Sequence, residues 1–364
     1  GTPSRYWLES ELASFGVTEQ PSAENADAVF DAIGQRLAEP QFRPRALLQR
    51  YGIDVLATTD DPCSDLSAHA ALAAVAGLAA RVIPTFRPDR YLDPAAPGWL
   101  EGIGALTDAS GHDATSYPGY LDALRARRRY FIEHGATATD HGVADAGSEP
   151  LEPADAHRLH GAALAGTITA DEAVAYRRNM LFEMARMSTE DGLVMQLHPG
   201  ILRNHDRATF ERFGADTGHD LPLATGFTEP LRPLLEQFGN DPRFRIVLFT
   251  VDETAFSRDI APLAGYYPAV FIGAPWWFLD APDAIGRFRS AAVETAGFSK
   301  MAGFVDDTRA FCSIPARHDM SRRSDAAFLA RLVVEHRMSQ HDAVATIENL
   351  VVHQPRRVFT RTVA

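Results

Sequence analysis

Three arginines (Arg87, Arg203 and Arg309), two aspartates (Asp140 and Asp307), His198 and the pair Trp276-Trp277 all stand on or just after short apolar runs in this sequence. A guanidinium presents a planar fork that fits a carboxylate, so several arginines converging on one pocket point to an anionic small molecule. Taken singly, each arginine is as readily an ordinary salt-bridge partner. His198 directly follows an apolar run, where a neutral imidazole can bind a metal, pass a proton or act as hydrogen-bonded scaffolding. In Asp307-Thr308-Arg309 a carboxylate lies two residues from a guanidinium. A neighbouring cation favours the ionised form, which suits Asp307 to be a base or a ligand rather than an acid. Trp276-Trp277 could wall the apolar face of a sugar ring or fill a rim. No glycine-rich phosphate loop and no G-x-S-x-G elbow occurs, which speaks against nucleotide and serine-hydrolase chemistry.

The elements that must position these residues follow a rhythm. Apolar, β-branched runs at 55–59, 82–86, 136–139, 193–197, 246–250, 269–273 and 303–306 each break into polar or aromatic residues instead of a hairpin turn. Between them lie helical patterns. One runs from Tyr120 to His134 and stops at Gly135; another opens on the capping box Thr169-x-x-Glu172 and carries Tyr176, Met180, Leu181, Met184 and Met187 on one face. Strands separated by helix-length connections predict a parallel sheet covered by helices. Polar residues after every strand favour a (β/α)8 TIM-type barrel over an open sheet, since a barrel gathers all its strand ends at one mouth. Seven runs are one short of eight, so the barrel lacks its first strand here, and that strand is expected upstream of Gly1. Residues 1–52 read as a helical segment, part of an insert before the second barrel strand, with Ser22 as an N-cap and Val29, Ile33 and Leu37 on one face. The barrel itself occupies 53–364.

The chain has 364 residues and a formal net charge of -13, and no long basic run could track a phosphate backbone. The cluster Arg125 to Arg129 lies on a helical pattern and reads as a solvated face. No apolar run approaches the roughly 20 residues that span a bilayer, and Gly1-Thr2-Pro3-Ser4 has no signal-peptide pattern. A cytoplasmic protein is expected, with neither nucleic acid nor membrane as a partner. Cys63 and Cys312 are too few and too isolated for a disulfide framework and read as ordinary thiols.

Several motifs stand in a particular order: Thr58-Thr59-Asp60-Asp61-Pro62, Pro84-Thr85-Phe86-Arg87-Pro88-Asp89, Asp140-His141-Gly142, Gln196-Leu197-His198-Pro199-Gly200 with Arg203, Asp216-Thr217-Gly218, Trp276-Trp277-Phe278, Asp307-Thr308-Arg309 and Arg317-His318. In this order, and over essentially the whole chain, the sequence resembles uronate isomerase (glucuronate isomerase), a divergent branch of the amidohydrolase superfamily. The resemblance implies a (β/α)8 barrel that interconverts D-glucuronate with D-fructuronate and D-galacturonate with D-tagaturonate. It implies one divalent metal, expected to be zinc, and a homo-oligomer. Carried over by position, Asp307 ligates metal or moves the proton, and His198 ligates or neighbours the metal. Arg87, Arg203 and Arg309 hold the substrate's carboxylate and oxygens, and Asp140 and Trp276 complete the pocket. The superfamily's metal-binding His-x-His pair does not occur in this sequence. Two other readings stand beside the isomerase: a metal-dependent hydrolase of the same superfamily, and a non-catalytic barrel that binds sugar acids.

Overall fold

The structure, a computed structural model, describes residues 3–307 and 310–362. Six of the seven predicted runs form strands: β1 (Val55–Asp60), β2 (Arg81–Phe86), β3 (Ala138–His141) and β4 (Val194–Leu197), then, beyond a two-stranded antiparallel hairpin of β5 (Ile201–Leu202) and β6 (Leu221–Pro222), β7 (Ile246–Leu248) and β8 (Val270–Ile272). The six pair in parallel in the order β1-β2-β3-β4-β7-β8, so neighbours in sequence are neighbours in space. Such a progression needs a crossover after every strand, and helices supply the bulk of those crossovers. Ile246, Val247 and Leu248 are completely buried, as a strand covered on both faces should be.

The predicted helix signals take effect where backbone groups would otherwise go unpaired. In the helix Ala170–Asp191 both halves of the Thr169/Glu172 capping box form, Tyr176, Met180, Leu181, Met184 and Met187 are all buried, and Gly192 ends the helix at φ 75°. The helix Tyr117–Glu133 starts a few residues before its apolar pattern because Ser116 Oγ accepts from Gly119 N–H, and it closes before Gly135 at φ 92°.

Three expectations change. The run at 303–306 forms no strand: the sheet gains only one parallel bridge, Ile272 to Met301, with Ala302 N–H donating to Ile272 O at 2.8 Å. Gly303 then adopts φ 84°, far outside the extended region, and turns the chain away from the sheet. Ser22 is not an N-cap, because the helix Ala26–Leu37 begins after Asn25; none of its residues is buried, and Leu37 is exposed. The basic cluster is a solvated face only in part: Arg129 is exposed and Arg125 pairs with surface carboxylates, but Arg127 and Arg128 turn inward. Arg128 is completely buried, its Nε and Nη2 donating to Asp191 Oδ2 and Oδ1 at 2.6 and 2.9 Å. Arg127 donates to the carbonyls of Pro62 and Ser64, both at 2.7 Å, and of Ala109 at 3.2 Å. Buried guanidinium groups persist only when so engaged, and these two stitch their helix to the loop after β1 and to the neighbouring helix.

Candidate active site

Consecutive parallel strands bring their C-terminal ends side by side, and the predicted residues lie along that edge. Arg87 follows β2, and its Nε donates to Asp89 Oδ2 at 2.8 Å. Asp89 Oδ1 accepts from Gly142 N–H at 2.9 Å, which fastens the loop after β2 to the loop after β3. Arg87 Nη1 lies 3.3 Å from Oδ2 of Asp140 on β3, and the other oxygen of Asp140 lies 2.7 Å from Nδ1 of His198, the residue after β4. That last contact is close enough for an ion pair but lies off the hydrogen-bond axis. The His198 ring stacks on Phe249 at 4.2 Å between centroids and meets Trp276 edge to face at 4.7 Å. Trp276 Nε1 donates to Asp307 Oδ2 at 3.0 Å.

A continuous row thus runs from Arg87 through Asp140, His198 and Trp276 to Asp307. Arg203 joins it by another route: its guanidinium lies 5.1 Å over the Trp277 ring, which packs against Trp276 at 5.5 Å. Arg203 Nη1 also donates to Asp220 Oδ2 at 2.7 Å, so its charge is already balanced. Arg309 lies outside the described residues.

The electrostatics follow from burial set against neighbouring charge. Burial works against the charge of Asp140, yet His198, Arg87 and His141 outweigh it and hold the carboxyl down to about 2. Burial also works against Arg87, but Asp140, Asp89 and Asp307 raise it above the usual guanidinium value. At Asp89 burial wins over Arg87 and pushes the carboxyl up. His141, completely buried with Nδ1 3.0 Å from Gln196 O, is driven down to about 4 by burial and stays neutral at pH 7. A carboxylate beside Nδ1 of His198 favours the proton there, leaving Nε2 as the nitrogen able to accept a proton.

Among the described residues no three His, Cys, Asp or Glu side chains gather into a metal site, whereas a catalytic zinc ion takes three protein ligands. His198 and Asp307, the expected ligands, lie on either side of Trp276, and Asp140 already faces Nδ1 of the histidine. These donors do not by themselves fit a resident metal.

The residue reading missed Asp89, Phe249 and a buried cluster of Asp280, Asp306 and Arg317 behind Asp307. Asp89 and Arg317 stood inside recognised motifs, so motif membership was the available signal. Phe249 looked like any strand residue.

The profile of the glucuronate isomerase family matches residues 1–359. The uronate isomerase of Cutibacterium acnes is 51% identical over 360 residues, which is 99% of this chain and 76% of that protein. Among solved structures, glucuronate isomerase from Caulobacter crescentus superposes with a TM-score of 0.95 at 46% identity, covering 99% of this chain and 75% of that one. The uronate isomerase of Thermotoga maritima gives 0.93 at 29% identity, covering 99% and 79%. Family profile, relatives and fold together therefore define an isomerase built on a parallel α/β sheet. The chain belongs to the glucuronate isomerase family.

Proposed function

We propose that this protein interconverts D-glucuronate with D-fructuronate, and D-galacturonate with D-tagaturonate, by moving a proton between C2 and C1 of the open-chain sugar acid. The observation that carries this reading is the unbroken row Arg87–Asp140–His198–Trp276–Asp307 along the C-terminal edge of the sheet and the loops beside it. Arg87, joined by Arg203 and Arg309, holds the substrate carboxylate and oxygens, and Trp276 covers an apolar face of the sugar. Asp307 removes the C2 proton. The electron pair of the broken C–H bond forms the C1–C2 double bond, and O1 takes up negative charge that the guanidinium groups offset. His198 Nε2 carries the O2 proton to O1, and Asp307 returns its own proton to C1, leaving a ketone at C2. Asp140 stays ionised throughout and orients both Arg87 and His198.

The sheet is read as strands two to seven of a (β/α)8 barrel, with the Met301 bridge where strand eight would lie and residues 1–52 as an insert ahead of strand two. A bound zinc ion would supply Lewis acidity toward the substrate oxygens, and it would need donors beyond those gathered here. Incubation of the protein with D-glucuronate, followed by NMR, should show D-fructuronate accumulating to equilibrium. A substrate spectrum unchanged at high enzyme concentration, with and without added zinc, would sink the isomerase reading.

A further inference from the structure

Arg317 stands behind the row. From the helix Ile314–Val334 its Nη2 donates to Asp280 Oδ2, and its Nε lies 2.5 Å from Asp306 Oδ1. The two carboxylates belong to different loops. Asp280 closes the loop that carries Trp276, and Asp306 immediately precedes Asp307. Their side chains are only 5% and 4% exposed, so Arg317 compensates two charges that water barely reaches. Neither oxygen of Asp306 finds a well-aligned hydrogen bond. Backbone pairing does little to hold this region, since the sheet ends at the Met301 bridge and Gly303 to Asp307 make no backbone hydrogen bond to another described residue. The guanidinium is itself held 5.3 Å over the Trp7 ring of the helix Pro3–Ser14.

We propose that Arg317 is a positioning residue for the isomerisation: by bridging Asp280 and Asp306 it fixes the two loops so that Trp276 Nε1 meets Asp307 Oδ2 at 3.0 Å. The proposal rests on the isomerase reading above, in which Asp307 moves the proton. Displacing a reacting group by about 1 Å costs on the order of 100-fold in rate, and apart from the Trp276–Asp307 contact itself the bridge through Arg317 is what joins the two loops. Arg317 acts through the Trp276–Asp307 contact and touches no reacting atom.

The test is a double-mutant cycle on the full chain, with D-glucuronate turnover as the readout. Arg317→Met should lower kcat by about 100-fold with KM changed by less than about threefold, since Arg87 at the other end of the row is untouched. In a Trp276→Phe background, where the indole N–H is already lost, the same change should cost less than about fivefold. Equal fold losses in both backgrounds would show Arg317 to be a general structural arginine and overturn the proposal. Should Arg317→Met fail to fold, Arg317→Lys keeps a buried cation yet cannot fork between two carboxylates; in the same cycle, unequal losses support the proposal and equal losses overturn it. Turnover absent from the unaltered chain would remove the isomerase reading itself, whereas turnover present with an additive cycle removes only Arg317's role.

Discussion

At the residue scale, the chemistry comes from pairing. Asp140 faces a guanidinium with one oxygen and an imidazole with the other, so a single buried carboxylate lies between two neighbours of the row. Asp307 is placed differently. It is exposed, and the one side-chain donor it shares with the row is the indole of Trp276. If Asp307 moves the proton, Asp307→Asn should lower kcat by roughly 1000-fold or more while the far-UV circular dichroism stays unchanged. Near-normal kcat in that variant would take Asp307 out of the mechanism. That Arg87, Asp140, His198, Arg203, Trp276 and Asp307 would meet was legible, because each stands at or near the end of an apolar run. Arg317 stood out only as part of a motif, and its pairing with Asp280 was not legible, because that contact spans 37 residues of sequence and no local spacing announces it.

At the element scale, local signals and distant contacts divide the stabilisation. The Thr169/Glu172 capping box was readable from four residues and formed as read, satisfying N–H groups that the helix start leaves unpaired. Thr169→Ala should cost about 1 kcal/mol in urea unfolding, and a midpoint equal to that of the unaltered chain would show the cap to be idle. Long-range ion pairs are a different matter. Arg289 and Asp325 join the helices Pro282–Ala296 and Ile314–Val334 through two hydrogen bonds of 2.6 and 3.0 Å, each side chain only 4% exposed. Asp325→Ala strands a guanidinium in the interior and should destabilise by about 3 to 5 kcal/mol. A loss below about 1 kcal/mol would mean that water reaches Arg289 after all. The partly misread cluster Arg125 to Arg129 belongs here too. A sequence shows that arginines fall on a helix, but not that Asp191 and three carbonyls wait on the other side of two of them.

At the scale of the whole molecule, buried histidines set how stability responds to acid. Burial holds His141 and His318 down to about 4, and lowers His160 as well. Below the ordinary histidine value of about 6.5 the unfolded chain binds protons that the folded chain refuses, so their contribution is complete above that pH and is lost as pH falls toward 4. Asp306, which burial lifts to about 6, opposes them, as do Asp89 and Asp280, whose carboxyls burial also raises, because the folded state takes up their protons first. His318→Gln removes one acid-sensitive group, so between pH 6.5 and 4.5 its urea midpoint should fall more shallowly, or rise more steeply, than that of the unaltered chain; an identical pH dependence would contradict the lowering of this imidazole. None of the described helices is long and apolar enough to cross a membrane. The sequence by itself determined the parallel β-then-α order, the Thr169/Glu172 cap and the places of Arg87, Asp140 and His198 at the ends of strands, because periodicity and capping are short-range properties written in neighbouring side chains. Tertiary structure alone decided that the seventh run leaves the sheet at Gly303, that Arg127 and Arg128 are interior, and that Arg317 gathers Asp280 and Asp306. Those outcomes depend on which distant groups share a desolvated space, and the cost of burying a charge is settled only once its partner has arrived.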